Sequence, residues 1–219
     1  MKLDLHTHTR YSGDSLASPE SALRSALRKG LDGIAITDHN TTRGWDDARE
    51  AARRLGAKLI LGEEIKAEVD GKMVGEIIGL FLKEGVEPCR EPLEIIRDIH
   101  KQGGLAIIAH PFEKRRHGFR DPHLVMGSVD GIEVFNSRNL SSSSNEKALE
   151  LAERHGMPKT GGSDAHSAME VGNAYTEAKA RTLQEFRKAL EKGDTTVRGR
   201  KSNMLVPVLS TVAKLLPKK

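Results

Sequence analysis

Short apolar runs rich in Ile, Val and Leu recur along the chain, separated by segments whose apolar residues return every third or fourth position. The runs at 3–7, 33–37, 58–61, 105–109, 131–135 and 158–161 are brief and continuous, as buried parallel strands are. The segments between them predict helices. Ser18-Pro19 opens one that carries Ala22, Leu23, Ala26 and Leu27 on one face and closes at Gly30; a second runs over 45–55 and stops at Gly56. Further helices follow Pro92, Ser144 and Thr182. One stretch breaks the alternation: apolar runs at 65–69 and 73–82 flank Asp70-Gly71, which predicts a tight hairpin, inserted in the sheet or placed at its edge. Repeated strand–helix alternation of this kind predicts an α/β fold in one domain over 1–202. The remaining 203–219 carries Leu205, Val208, Leu209, Val212, Leu215 and Leu216 at helical spacing before closing lysines, a basic amphipathic tail that packs back on the domain or meets a membrane surface or partner.

At 219 residues, 37% hydrophobic and 30% charged, the chain can bury a sizeable core, which excludes disordered, collagen-like and coiled-coil classes. No apolar run approaches the ~20 residues of a bilayer span, and the opening MKLDLHTH lacks a signal-peptide apolar stretch, so a cytoplasmic protein is expected. The single cysteine, Cys89, forms no internal disulfide and rules out Cys-rich zinc modules. Any metal must therefore be held by His and carboxylates. Thirty-five basic against 31 acidic side chains give a net charge of +4, which permits an anionic partner without demanding one.

In a parallel α/β protein, functional side chains gather just beyond the C-terminal ends of the strands, where the loops converge on one face. Ligand-type residues stand at five such ends: His6, His8 and Asp14; Asp38-His39; Glu63-Glu64; His110-Pro111; Asp164 and His166. Residues two apart on a strand share a face, so His6 and His8 can reach one ion. Asp164-Ala165-His166 repeats the spacing after Gly161-Gly162-Ser163, and mixes carboxylate with imidazole as divalent transition metals prefer. His100, in a helical segment, His123, in a loop or short helix, and His155, at a helix C-terminus, read as structural. The basic stretch 113–120 follows the His110 strand and should overhang the same face; its Arg115, Arg116, His117 and Arg120 are candidates for holding a substrate phosphate.

The segments D-L-H-T-H-T, I-T-D-H-N, G-E-E-I, A-H-P, I-E-V-F-N and G-G-S-D-A-H, spread in this order over roughly residues 1–200, resemble the PHP (polymerase and histidinol phosphatase) family of metal-dependent phosphoesterases. The resemblance implies a distorted (β/α)7 barrel with two or usually three divalent ions, Zn, Mn or Fe, at the C-terminal mouth. It implies a first ion on His6, His8, Glu64 and Asp164. A second would share Glu64 as a bridge and take His110 with a residue of the 73–82 strand; a third would take Asp14, His39 and His166. Many relatives have His where this chain has Glu76, and a carboxylate there can also coordinate.

The implied reaction is phosphoester hydrolysis by a metal-bridging hydroxide, with Glu64 and Asp164 at the reacting centre and Arg116 and His117 among the residues clamping the phosphoryl oxygens. A small phosphomonoester or nucleotide suits a stand-alone barrel, whereas a nucleic-acid end would suit the basic balance and make the chain a nuclease. A non-catalytic PHP binding module should lose ligands, and this chain keeps nearly all of them. An amidohydrolase would need a strand-end lysine as carbamate bridge, and no persuasive one is present.

Overall fold

The computed structural model describes residues 1–113, 118–119, 121–139 and 141–202. Its elements are β1 (Lys2–Asp4), α1 (Pro19–Arg28), β2 (Gly33–Ile36), α2 (Trp45–Leu55), β3 (Lys58–Val69), β4 (Lys72–Leu80), α3 (Pro92–Lys101), β5 (Leu105–Ile108), β6 (Gly131–Asn136), α4 (Ser142–Arg154), β7 (Lys159–Gly162), β8 (Ala174–Glu177), α5 (Leu183–Lys192) and β9 (Thr196–Gly199), with short 3-10 turns at Arg10–Ser12 and Pro122–Leu124. The strands form one sheet in the order β7-β6-β5-β4-β3-β2-β1-β8-β9. Pairing is parallel from β1 to β3 and from β5 to β7, and antiparallel where β4, β8 and β9 join.

Beyond β1 the chain turns to the segment after β7. Thr7 bridges Ala165 in parallel, with Asp164 N–H donating to the His6 carbonyl at 2.8 Å and His8 N–H to the Ala165 carbonyl at 2.9 Å. The sheet thereby curls into a nearly closed barrel, the distorted (β/α)7 arrangement expected from the sequence. Closure demands Gly162, where a Cβ would lie 2.3 Å from the Cβ of His6. The same turn of the chain brings the His6-x-His8 and Asp164-x-His166 pairs together.

Alternation along the strands divides the apolar side chains into two sets. Ile34 and Ile36 pack with Ala22, Leu23 and Ala26 of α1 and Ala48 of α2, while Ala35 faces the other way with Leu3, Leu5, Ile60, Ile78, Ile107 and Phe186 of α5. Each large side chain buried in this way contributes about 1.5–3 kcal/mol. The helix starts follow their caps: the Ser18 hydroxyl accepts from Ser21 N–H at 3.1 Å, and that of Thr182 from Glu185 N–H at 3.1 Å.

The expected Asp70-Gly71 hairpin is present, and several other expectations are corrected. The runs at 58–61 and 65–69 are one strand, β3. The hairpin turn is the two-residue Asp70-Gly71, both with left-handed φ (51° and 69°). Of the two places expected for the hairpin, the edge is excluded: β4 is inserted in the sheet between β3 and β5, where Ile77 pairs with Ile108 and Ile78 with Ile107, because both of its faces are apolar there. α4 begins at Ser142, two residues before Ser144, capped by Ser141. β8 alternates buried Ala174 and Thr176 with half-buried Tyr175 and Glu177, β9 is largely exposed, and neither presents a continuous apolar run to read. The amphipathic tail 203–219 lies outside the described residues, as do Arg115, Arg116, His117 and Arg120 of the basic stretch. Among the described residues no helix is long and apolar enough to cross a membrane.

Candidate metal centre

The ligand-type residues converge at the C-terminal ends of β1, β2, β5 and β7 and on the paired strands β3 and β4. His110 and Asp164 adopt left-handed φ (24° and 53°), a conformation that costs non-glycine residues about 1–3 kcal/mol and persists only when the surroundings enforce it. Glu64 is the hub. Its Oε1 lies 2.9 Å from His110 Nε2 and 3.3 Å from His6 Nε2, and its Oε2 3.4 Å from His8 Nε2 and 2.8 Å from His39 Nδ1. His8 Nε2 is also 3.4 Å from Asp164 Oδ1. Glu76 Oε2 is 3.6 Å from His110 Nε2, and its Oε1 is 3.8 Å from His39 Nδ1. Asp14 Oδ2 completes the outer side, 3.3 Å from His166 Nε2 and 3.5 Å from His39 Nε2. All nine sequence-predicted ligands, His6, His8, Asp14, His39, Glu64, Glu76, His110, Asp164 and His166, thus share one cluster.

Proton bookkeeping shows what the cluster is built to receive. His6 Nδ1–H donates to Glu133 Oε1 at 3.0 Å, which turns Nε2 into the cluster. Ser12 gives its only hydroxyl proton to Asp38 Oδ1 (2.9 Å), so it accepts from His8 Nδ1–H at 3.1 Å, and His8 Nε2 carries a lone pair. These two Nε2 atoms lie 3.1 Å apart, near enough to share one metal ion or, in the metal-free chain, one proton. His166 Nδ1–H donates to the Asp164 carbonyl at 2.9 Å, which turns its Nε2 toward the Asp14 carboxylate. Asp14 Oδ1, Glu64 Oε2 and Glu76 Oε1 are buried and accept no hydrogen bond; the 2.8 Å approach of His39 Nδ1 to Glu64 is misaligned for one. Four ligand triplets form here, His6/His8/Asp164, His6/Glu64/His110, His39/Glu64/Glu76 and His8/His39/His166, each with donor atoms within 4.8 Å of one another. The donor set fits divalent ions.

The electrostatics of the chain alone agree. Burial opposes a charge on His6, yet Glu64, Glu133 and Asp164 outweigh it and hold the imidazole well above its ordinary range; at His39, Glu64 and Asp14 do the same. Burial, together with His39 and His166, drives His8 down to about 3. Burial and the Glu64 charge push Glu76 up to about 7, while Glu64, despite its burial, is kept well below the usual carboxylate range by His6 and His39. In such a cluster protons compete with metal for the same lone pairs.

Around the ligands stands a layer of groups to which the sequence reading gave no role. Glu133, buried, also accepts from His110 N–H at 2.9 Å and from Asn136 Nδ2 at 3.0 Å, and Asn136 Nδ2 donates to Asp164 Oδ2 at 3.1 Å. Asp4 is buried below the mouth, accepting from Ser163 and Gly172, and burial pushes it up to about 6. Glu170 Oε2 accepts from His166 N–H at 3.0 Å. A charged residue inside an apolar strand run, as Glu133 is in 131–135, was the signal available. Glu63 turns away to accept from Val86 N–H at 2.9 Å. His100 pairs with Asp130 at 2.8 Å, and the rings of His123 and His155 pack together 5.8 Å apart; none of the three joins the cluster. The described flanks of the basic stretch sit at the mouth: Phe119 is buried against Gly75, and a Cβ on Gly118 would lie 2.6 Å from the His110 carbonyl oxygen.

A PHP domain family model matches residues 4–122, and a PHP-associated model matches 142–195. An uncharacterized protein of Methanocaldococcus jannaschii is 38% identical over 159 residues, 68% of this chain and 90% of that one. The PolC-type DNA polymerase III of Oceanobacillus iheyensis is 39% identical over 107 residues, 48% of this chain and 7% of the polymerase. Among solved structures, a two-domain Bacteroides vulgatus protein, described as containing a predicted PHP-like metal-dependent phosphoesterase, superposes with a TM-score of 0.76 at 26% identity; the match covers 91% of this chain and 65% of that one. With one family model spanning more than half the sequence, and a relative matched over most of both chains, this chain belongs to the PHP domain family.

Proposed function

We propose that the chain is a metal-dependent phosphoesterase acting on a small phosphomonoester or nucleotide, in a reducing, cytoplasmic setting. The observation that carries this is the convergence of the His6 and His8 Nε2 atoms on each other and on the buried Glu64 carboxylate. In this reading His6, His8, Glu64 and Asp164 hold one ion, Glu64, Glu76 and His110 a second, and Asp14, His39 and His166 a third. Bound divalent ions supply an acidified water and neutralise charge as the phosphoryl group is displaced. The chain itself orients the ligands. Glu133 and Ser12 fix the tautomers of His6 and His8, and Asn136 holds Asp164. Asp14 and His39, with side chains 14% and 23% exposed, form the solvent-facing side by which substrate enters. Titrating Mn²⁺, Zn²⁺ and Fe²⁺ while following hydrolysis of p-nitrophenyl phosphate and its bis ester tests the reading; metal uptake without hydrolysis of either would make the chain a binding module.

A nuclease is the second reading, favoured by the polymerase relative and the net charge of +4. A panel of nucleotides, bisphosphates, histidinol phosphate and short oligonucleotides separates the two, turnover confined to oligonucleotides favouring the nuclease.

Two variants probe the parts. Two carboxylates and one imidazole make Glu64, Glu76 and His110 a hard donor set. Mn²⁺ or Fe²⁺ should therefore support wild type relatively better than Glu76→His, which should shift toward Zn²⁺. Identical metal profiles in wild type, Glu76→His and Glu76→Ala would remove Glu76 from the ligand set. Neutralising Arg115 and Arg116 together should raise KM or lower kcat with metal content unchanged. Unaltered kinetics would return the stretch to plain solvated surface.

A further inference from the structure

We propose that Arg138 contacts the phosphoryl oxygens of the substrate, with Glu170 holding its guanidinium; the proposal rests on the phosphoesterase reading. Arg138 stands two residues past the end of β6, and its N–H donates to Asn136 Oδ1 at 2.9 Å. The same Asn136 side chain donates to Asp164 Oδ2. On the other side, Arg138 Nε lies 3.4 Å from Glu170 Oε1, and Glu170 Oε2 accepts from His166 N–H at 3.0 Å and Ser167 Oγ at 3.1 Å. The Arg138 backbone is thereby tied to the side chain that holds Asp164, and its guanidinium to the carboxylate that holds the His166 backbone, which sets the arginine beside the cluster.

The pair is buried, with side chains 7% and 1% exposed. A buried ion pair is often no more stabilising than apolar residues of the same size, and this one is long, Glu170 Oε1 accepting no hydrogen bond. Stability is thus a poor reason for an arginine here. Recognition is a better one, because a planar guanidinium matches two phosphoryl oxygens at once and keeps its charge at any working pH. It also offsets the repulsion that Asp14, Glu64, Glu76 and Asp164 exert on an arriving phosphate.

The test uses the metal-loaded full chain as wild type, Arg138→Met, Arg138→Lys and Arg138→Met/Glu170→Gln. Metal content is read by elemental analysis, inorganic phosphate binding by calorimetry, and p-nitrophenyl phosphate turnover by kinetics. Arg138→Met should keep its metal and weaken phosphate binding roughly 10- to 100-fold, the worth of a charge-assisted hydrogen bond. Lys should recover part of the affinity, and the double variant none. Wild-type phosphate affinity in Arg138→Met, metal loss in step with activity in both single variants, or full recovery in the double variant would overturn the proposal and leave a structural pair. If wild type hydrolyses no phosphoester while Arg138→Met still loses phosphate binding, the phosphoesterase reading fails and the Arg138 contact stands.

Discussion

Glu64→Ala should lose bound metal and phosphoester hydrolysis together, while the folded chain remains. Its two oxygens face four imidazoles, His6, His8, His39 and His110, at 2.8–3.4 Å, so no other side chain can take over the centre of the cluster. Groups that merely support metal ligands cost 10- to 100-fold when removed, so loss of this carboxylate should exceed roughly 100-fold in kcat/KM. Asp164→Ala should behave alike, since Asp164 Oδ1 lies 3.4 Å from His8 and its Oδ2 is held by Asn136. Elemental analysis, circular dichroism and steady-state kinetics on the same preparations check this. Wild-type turnover in either variant would mean that the ligand sets are drawn wrongly.

Stripping metal with a chelator should abolish activity and lower the melting temperature, with a gap between loaded and stripped protein that widens as pH rises. A metal held at 100 times its Kd stabilises by about 2.7 kcal/mol per site, which removal forfeits. In the stripped protein, burial raises Asp4 from 3.8 to about 6, Glu63 from 4.5 to about 7 and Glu76 from 4.5 to about 7. Their stabilisation is complete below the unfolded values and is lost as pH rises through the folded ones, from about 4 to about 7. His8, lowered from 6.5 to about 3, opposes this over its own window, but three carboxylates outnumber it. The loaded protein gains over the same range because ligands bind metal in deprotonated form. Calorimetric melting at pH 5 and 7.5, with and without chelator, decides; equal melting temperatures and full activity after stripping would sink the metal requirement.

The sequence by itself determined the strand–helix alternation and the residues that make up the cluster. Apolar runs and glycine stops are local signals, and His6-x-His8 and Asp164-x-His166 announce a shared face through the two-residue period of a strand. What joins those residues is not local. His6 meets Glu133 across 127 positions, and Asn136 meets Asp164 across 28, so the layer that fixes tautomers and aims carboxylates leaves along the chain only a charged residue in an apolar run, with nothing to say what it meets. The interior place of β4 depended on pairing with β5, and β8 and β9 on filling the flank of β1. Glu76 shows the division most clearly. Its type was legible, but its aim rests on the register that sets it opposite Lys66 beside the irregularity at Ala67/Glu68, where a slip of one residue would turn the carboxylate to the other face; only the packed sheet selects between the two.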